Sequence, residues 1–129
     1  MSLIKGKKGL IMGVANERSI AWGISQKLAK EGADLAFTYL GDALKKRVVP
    51  LAKSLNSDFT LSCNVENKEE IKKLFEDIKN KWGEIDFVVH AVAFSDKSEL
   101  SGEYLDTTRE NFLKSMLISC FSFTEVARE

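Results

Sequence analysis

The 129-residue sequence has few of the residues that build disulfide frameworks, metal sites or strongly charged surfaces. It contains two cysteines, one histidine and one proline. Cys63 and Cys120 have no CxxC or Cys/His spacing, so neither a disulfide framework nor a metal site is expected, and both thiols are interpreted as buried. Nineteen basic residues balance nineteen acidic ones. A nucleic acid partner is therefore not expected, because a phosphate backbone attracts a net positive surface.

Long apolar runs are also missing. No segment approaches the roughly 20 apolar residues that a membrane-spanning helix needs, and residues 1–8 carry charge and glycine where a secretory signal has an apolar core. We therefore expect a cytoplasmic chain with no membrane partner. No linker or low-complexity tract divides the chain, and its length suits one apolar core, so we expect a single domain.

Four short apolar runs are regularly spaced along the chain, and helical segments lie between them. The runs begin at Gly9, Asp34, Phe59 and Ile85. Strands that are apolar throughout and alternate with helices favour a parallel sheet covered on both faces, because parallel strands need a long crossover. The predicted fold class is α/β with a doubly wound parallel sheet. In such a sheet the first three strands run outward in order and the fourth returns beside the first.

Two of the helices have clear start and stop signals. The first is expected to begin near Ser19 and to end before Gly32. The third follows the capping-box pattern Asn67-x-x-Glu70 and ends before Gly83.

The other two helices have less regular signals. A helix over about residues 42–55 contains Pro50, which predicts a kink or a break near Val49. A last helix is predicted to begin at the capping-box pattern Thr107-x-x-Glu110, and its apolar residues surround it almost completely. One face is expected on the sheet and another against a partner helix, for which a second subunit is one source.

The last helix carries no stop signal before Glu129. We therefore expect residues 1–129 to be the N-terminal, dinucleotide-binding part of a single domain that is truncated after its fourth βα unit and ends within a long helix.

The turn after the first strand has the outline of a phosphate site. Gly13 ends the strand, a five-residue loop follows, and Ser19 precedes the first helix. Backbone N–H groups at a helix start favour a pyrophosphate, and a glycine leaves room for it. Ser19 either caps the helix or donates its hydroxyl to phosphate. The central glycine of the G-x-G-x-x-G fingerprint is absent, so the support comes from the position of the turn.

The ends of the other strands complete a candidate nucleotide site. Ala91, Val92 and Ala93 are slim enough to let a ribose lie beside the fourth strand, or they are simply parts of a buried strand. Asn64, followed by Val65, can accept a hydrogen bond from the adenine amine, or it only turns the chain before the third helix.

The residues after the second strand bear on the choice of nucleotide. Tyr39 is followed by Leu40 and Gly41, without the basic residue that a 2′-phosphate prefers, and this favours NAD(H) over NADP(H). NADP(H) stays open because several basic side chains are near enough in sequence to reach a phosphate, namely Arg18, Lys45, Lys46 and Arg47.

These residues resemble the bacterial enoyl-acyl carrier protein reductases, a divergent branch of the short-chain dehydrogenase/reductase superfamily, over essentially the whole chain. The resemblance rests on three blocks. They are Gly13-Val14-Ala15-Asn16 with Ser19-Ile20-Ala21-Trp22-Gly23-Ile24; Glu31-Gly32-Ala33 with Leu35-Ala36-Phe37-Thr38-Tyr39; and Asp86-Phe87-Val88-Val89-His90 with Ala93-Phe94.

The resemblance implies a Rossmann-type fold, an NADH cofactor and a homo-oligomer, a tetramer in that family. It also implies reduction of a trans-2-enoyl thioester of acyl carrier protein in fatty acid biosynthesis. Carried over to this sequence, it assigns the pyrophosphate to Gly13, Ala15, Ser19 and Ile20; the adenosine to Leu40, Asn64 and Val65; the ribose to Ala91, Val92 and Ala93; and the substrate loop to Ser95. This sequence departs from the family at three positions. The family usually has Asp where this sequence has Asn64, Ser where it has Ala91, and Gln or a basic residue where it has Leu40.

The catalytic pair that the resemblance implies is a Tyr-x6-Lys pair. Tyr39 and Lys46 have this spacing, but Tyr39 ends the second strand, on the adenosine side, whereas hydride transfer takes place near the fourth. We therefore expect the catalytic pair beyond Glu129 and no catalytic residue in residues 1–129. His90 lies in an apolar strand and is interpreted as a packed core histidine.

Two alternatives remain open at this point. One is a carbonyl-reducing enzyme of the same superfamily, which a Tyr-x3-Lys pair would indicate. The other is a non-catalytic α/β module that binds a nucleotide, or that only associates with other copies of itself through the last helix.

Overall fold

Four parallel strands form a single sheet in the computed structural model, which describes residues 2–129. Met1, the first residue of the segment predicted to lack a secretory signal, lies outside them. The strands are β1 (Lys8–Met12), β2 (Asp34–Tyr39), β3 (Thr60–Ser62) and β4 (Phe87–His90), and their order is β3-β2-β1-β4. Both the α/β class and the return of the fourth strand to the side of the first are confirmed.

Three helices make the crossovers and cover both faces of the sheet. They are α1 (Ile20–Lys30), α2 (Gly41–Ser54) and α3 (Lys68–Trp82). Since successive side chains of a strand point to opposite faces, Leu10 packs with the α3 side of the core and Ile11 with the α1 and α2 side. The central strands β1 and β2 are thus buried on both faces, as in other parallel sheets, whereas β3 and β4 are only partly buried.

The predicted ends of α1 and α3 agree with the structure. Gly32 follows the last residues of α1 with a φ of +90°, a conformation that favours glycine. The Asn67 side chain accepts hydrogen bonds from the N–H groups of Glu69 and Glu70, which are among the unpaired donors at the start of α3.

The break predicted near Val49 does not occur, because α2 continues through Pro50 to Ser54. The alternative, a kink, stays a prediction. Proline lacks an N–H, so the carbonyl of Lys46 loses its helical partner there. Pro50 is exposed, and water can solvate that carbonyl, while Val48 and Ala52 are completely buried against the sheet. Packing of the buried face therefore holds the helix together across the proline.

The last helical run also differs from its prediction. It consists of α4 (Arg109–Met116), a π-helical segment (Leu117–Phe121) and α5 (Ser122–Arg128), and two 3₁₀ turns at Lys97–Glu99 and Tyr104–Asp106 precede it. Its cap is Thr108, whose hydroxyl accepts from the Asn111 N–H, and not Thr107, whose hydroxyl donates to the Tyr104 carbonyl. The predicted partner Glu110 is replaced by the more distant Glu99, whose carboxylate accepts both from the N–H and from the hydroxyl of Thr108.

This run buries one face only. Ile118 and Val126 pack in the core on the α3 side of the sheet, as expected for the face that contacts the sheet. Many of its apolar side chains are exposed, and so is Cys120, which contradicts the prediction that both thiols are buried. The exposed large apolar side chains of the run are Phe112, Leu113, Met116, Phe121 and Phe123. Within residues 2–129, no helix is both long enough and apolar enough to cross a membrane.

Candidate functional site

A cavity of about 500 Å³ lies along the edge of the sheet where the strands end. Its volume is within the range of about 300–1,000 Å³ that is common for small-molecule sites. The residues that directly follow all four strands contribute to its wall. Eight of the predicted contact residues line it, namely Gly13, Ala15, Leu40, Asn64, Val65, Ala91, Val92 and Ala93. Ser19, Ile20 and Ser95 do not.

Gly13 brings the ends of β1 and β4 into direct contact. The Ala91 N–H donates to the Met12 carbonyl at 2.9 Å. Gly13 has a φ of +113°, and a Cβ there would lie only 2.1 Å from the Ala91 carbonyl oxygen. Only glycine satisfies both conditions, so the floor of the cavity depends on this residue.

Ser19 organises the loop after β1 and does not cap α1. Its Oγ accepts from the N–H groups of Ala15, at 2.9 Å, and of Asn16, at 3.2 Å, and it makes no capping bond to its own helix. With its acceptor sites used in this way, the hydroxyl proton remains free to be donated to a ligand. The cap interpretation is therefore wrong, and the phosphate interpretation stays a prediction.

The start of α1 offers two further donors beside this loop. The N–H groups of Ile20 and Ala21 have no acceptor among residues 2–129. Unpaired amides at a helix start favour an anion. The Ile20 side chain is 81% exposed and does not line the cavity, so a contact from this residue would come from its backbone.

Asn64 turns the chain at the end of β3. Its Oδ1 accepts from the Glu66 N–H at 3.0 Å, and its own N–H donates to the Glu70 carboxylate at 3.1 Å. This is the local turn that the sequence left open as an alternative. Since Asn64 still lines the cavity, a contact to adenine remains a prediction.

The chain that leaves β4 forms one wall of the cavity. Ala91 and Ala93 are exposed, so they are not parts of a buried strand, and their contact with a ribose stays a prediction. Phe94 also lines the cavity, and the Lys114 Nζ lies 4.7 Å from its ring centroid. Ser95 lies just beyond, where its Oγ accepts from the Asn111 Nδ2 at 3.1 Å.

Sequence reasoning missed part of the lining. Two of the missed residues, Lys114 and Ile118, come from the last helical run, and no local pattern signals a contact between such distant parts of the chain. Leu44 lies four residues after Leu40, in the first turn of α2. The others are within two positions of predicted residues, so extending each strand end by one or two positions finds them. The missed residues are Met12, Val14, Thr38, Tyr39, Leu44, Cys63, Glu66, Phe94, Lys114 and Ile118.

The cavity is mostly apolar and carries little charge. Glu66 and Lys114 are the charged side chains in its lining. Burial raises the pKa of the Cys63 thiol to about 11, and the nearby Glu70 carboxylate adds to the effect, so this thiol is neutral at physiological pH. No cluster of metal-ligating side chains exists within residues 2–129. The site is suited to binding by shape and by a few hydrogen bonds.

The groups set aside as catalytic candidates lie elsewhere or lack a partner. Tyr39 lines the cavity but Lys46 does not, so the two do not form a pair there. The His90 Nε2 lies 2.7 Å from the Ser122 Oγ, and its ring packs edge-on against Phe123. His90 is only partly buried, and that burial lowers the pKa of its imidazole. It therefore joins β4 to α5 and does not contact the cavity.

Comparison with known proteins gives a consistent result. The family model described as enoyl-(acyl carrier protein) reductase matches residues 13–129. The enoyl-[acyl-carrier-protein] reductase [NADH] 2 of Rhizobium meliloti is 61% identical over 98% of this chain and 47% of its own length. The chain spans about half the length of the curated relatives that it matches.

Solved structures agree with the sequence comparison. FabI from Candidatus Liberibacter asiaticus is 55% identical and superposes with a TM-score of 0.96, over 99% of this chain and 50% of that protein. The reductase from Anaplasma phagocytophilum, solved in complex with NAD, is 53% identical with a TM-score of 0.94, over 98% of this chain and 48% of that protein.

Proposed function

Because the chain belongs to the enoyl-(acyl carrier protein) reductase family, we propose that residues 1–129 form the N-terminal, cofactor-binding part of a single Rossmann domain in an NADH-dependent oxidoreductase. Its reaction is the reduction of trans-2-enoyl-acyl carrier protein in cytoplasmic fatty acid biosynthesis. The observation that carries the proposal is the cavity of about 500 Å³, to which all four strand ends contribute. This is where doubly wound folds bind dinucleotides.

The residues of the cavity suit an extended dinucleotide. The Ser19 hydroxyl and the amides of Ile20 and Ala21 are the available donors for a pyrophosphate beside the first βα turn. Leu40, Asn64 and Val65 lie at the ends of β2 and β3, on the adenosine side. Ala91, Val92 and Ala93 lie beside β4, where their small side chains leave room for the second ribose.

The bound NADH supplies a hydride, and residues 1–129 supply its binding and orientation. The Tyr-x6-Lys pair of the family is expected outside these residues, and Ser95 is expected to face the acyl thioester. We also propose that the protein forms a homo-oligomer, in which the exposed apolar face of the last helical run lies against another copy.

NADH is favoured over NADPH by the composition of the site. Leu40 and Glu66 offer no positive charge at the adenosine end of the cavity. The Lys45 Nζ lies 5.9 Å from the ring centroid of Tyr39, which lines the cavity, so Lys45 is one basic group near enough to meet a 2′-phosphate. If NADPH binds at all, Lys45→Ala is expected to weaken it and to leave NADH unchanged.

The test is a fluorescence titration of the chain with NADH. Ala93→Trp places an indole in the cavity at an exposed position, and we expect saturable binding to be reduced at least tenfold. Ala43→Trp is the matched control, since Ala43 is exposed on α2 and does not line the cavity. Circular dichroism is expected to show the same fold in both variants.

Two results would contradict the proposal. Saturable NADH binding that Ala93→Trp leaves unchanged would place the cofactor elsewhere. A chain that binds neither NADH nor NADPH would favour the non-catalytic module.

A further inference from the structure

The last helical run carries a row of polar side chains on the side that faces the chain leaving β4. This polar row consists of Asn111, Ser115, Ser119 and Ser122. Asn111 is only 4% exposed and Ser122 is completely buried. Burying polar groups costs free energy unless they are hydrogen-bonded, and no buried side-chain nitrogen or oxygen within residues 2–129 lacks a partner. The row therefore has specific partners to satisfy.

Those partners are successive points along the segment that leaves β4. Ser122 contacts His90 at the end of the strand, at 2.7 Å. Ser119 contacts the next point, Phe94, whose N–H donates to the Ser119 Oγ at 3.0 Å and whose carbonyl accepts from it at 3.3 Å.

Asn111 holds the following two residues. Its Oδ1 accepts from the Asp96 N–H at 2.9 Å and from the Ser115 hydroxyl at 3.4 Å, while its Nδ2 donates to the Ser95 Oγ at 3.1 Å. The polar row and the segment therefore run antiparallel. Ser122 lies opposite His90, Ser119 opposite Phe94, and Asn111 opposite Ser95 and Asp96.

These contacts replace the sheet as the support of the cavity wall. Strand β4 ends at His90, and the last bond of its ladder comes from the Ala91 N–H. Beyond this point the backbone needs other partners for its polar groups. The hydroxyl of Ser119 provides one donor and one acceptor to a single residue, as a neighbouring strand would. Phe94 lines the cavity and Ala93 precedes it. The hydrogen bonds from the helical run therefore fix the position of this wall.

We propose that Asn111 and Ser119 are positioning residues for the nicotinamide half of the cofactor. They act through the backbone of residues 94–96 and do not contact the cofactor themselves. The inference rests on the proposed function, because it assigns the wall beside β4 to that half. The adenosine half belongs at the ends of β2 and β3, and β3 lies three strands away from β4 in the sheet. Adjacent strands are about 4.8 Å apart, so the backbone held by the polar row lies roughly 10–15 Å from the ends of β2 and β3, and we expect little effect on adenosine binding.

The experiment compares NADH with AMP, which contains the adenosine half alone. In the chain, Asn111→Leu replaces both hydrogen-bonding groups by methyl groups on the same branched skeleton, and Ser119→Ala removes the hydroxyl. We expect NADH to bind at least tenfold more weakly to Asn111→Leu and several-fold more weakly to Ser119→Ala, while the affinity for AMP changes less than twofold. Ser119→Thr keeps the hydroxyl and is expected to restore NADH binding. Thr124→Ala, at an exposed position of α5, is the control.

Amide hydrogen exchange provides a second measurement that needs no cofactor. The amides of Phe94 and Asp96 are expected to exchange faster in Ser119→Ala and Asn111→Leu respectively, with little change in β1. An equal loss of NADH and AMP binding would indicate general destabilisation and would overturn the inference. Unchanged NADH affinity despite faster exchange would overturn it as well. If the unsubstituted chain binds AMP but not NADH, the proposed function fails together with the inference, whereas a failure confined to the variants leaves the proposed function standing.

Discussion

At the scale of single residues, the two cysteines differ in exposure, and burial raises the pKa of the buried one. Cys63 is buried with a pKa raised to about 11, and Cys120 is exposed. The thiolate is the reactive form. We therefore expect an aromatic disulfide reagent at about pH 8 to modify Cys120 rapidly and Cys63 slowly, with NADH slowing Cys63 further because this residue lines the cavity.

Single substitutions separate the two phases of this reaction. Cys120→Ser is expected to remove the fast phase and leave the slow modification of Cys63. Cys63→Ser is expected to leave only the fast modification of Cys120. Equal rates for the two thiols in the folded chain would contradict the assigned burial. The raised pKa also means that Cys63 favours the folded state below its ordinary pKa of 9.0, and that this contribution is lost as the pH rises towards about 11.

His90 gives a second prediction, on the acidic side. Burial lowers its pKa below the ordinary value of 6.5, so folding favours the neutral imidazole. Its contribution to stability is complete above that value and is lost as the pH falls through the lowered pKa. We expect the melting temperature to fall between about pH 7.5 and pH 5.5, and to fall less in His90→Gln, which can still bond to Ser122.

The acidic groups with lowered pKa values do not contribute to the change in melting temperature over this pH range. Hydrogen bonds lower the pKa values of Glu31 and Asp86 from ordinary values of 4.5 and 3.8. These carboxyl groups take up protons below the measured range. The same pH dependence in His90→Gln and in the unsubstituted chain would show that His90 has no part in it.

At the scale of the elements, α2 shows that burial outweighs a local helix breaker. Pro50 lies on its exposed side and leaves one carbonyl without a helical partner. Proline costs about 3 kcal/mol relative to alanine inside a helix, and it recovers up to about 1 kcal/mol by restricting the unfolded chain. We therefore expect Pro50→Ala to raise the free energy of unfolding in urea by about 1–2 kcal/mol.

A neighbouring substitution provides the comparison. Lys53→Ala changes an exposed residue of the same helix whose side chain makes no hydrogen bond and no ion pair within residues 2–129. Its effect is expected to stay within about 0.5 kcal/mol. If Pro50→Ala leaves the free energy of unfolding unchanged or lowers it, the backbone at this position is already relaxed around the proline.

The strands and the first three helices were predictable because their signals are local. The continuous apolar runs and the cap at Asn67 act within a few residues of the chain. The choice between Thr107 and Thr108 as a cap was not predictable, because both precede the last run. Glu99 decides it by bonding to Thr108, and this contact joins two ends of an irregular loop.

Part of the candidate site was likewise predictable from the sequence and part was not. Gly13, Asn64 and Ala91 could be named because they lie within two residues of a strand end, and parallel strands end at one edge of the sheet. The polar row could not be found in this way. Asn111 and Ser119 stand among apolar residues in the sequence, and their importance comes from the irregular backbone of residues 94–96, whose path is visible only in the folded chain.

At the scale of the whole molecule, the apolar surface of the last helical run remains to be covered. The exposed set includes Leu113, which is 61% exposed, and Phe121, which is 46% exposed. Several large apolar side chains exposed within one helical run mark an interaction site more often than scattered ones do. The chain has no net charge at pH 7, so no overall repulsion opposes the approach of a second copy.

The proposed homo-oligomer can be tested on this surface. We expect the chain to associate reversibly in sedimentation velocity as its concentration rises, and we expect Leu113→Glu with Phe121→Glu to sediment as a monomer, because each introduced carboxylate would have to be desolvated in the interface. Leu105→Glu is the matched control, since Leu105 is 87% exposed and lies in the turn before the run. A chain that is monomeric at every concentration, or a control that dissociates equally, would contradict self-association through this face. If the monomeric variant retained its NADH affinity, the cavity at the strand ends would be complete within a single copy, as its lining residues indicate.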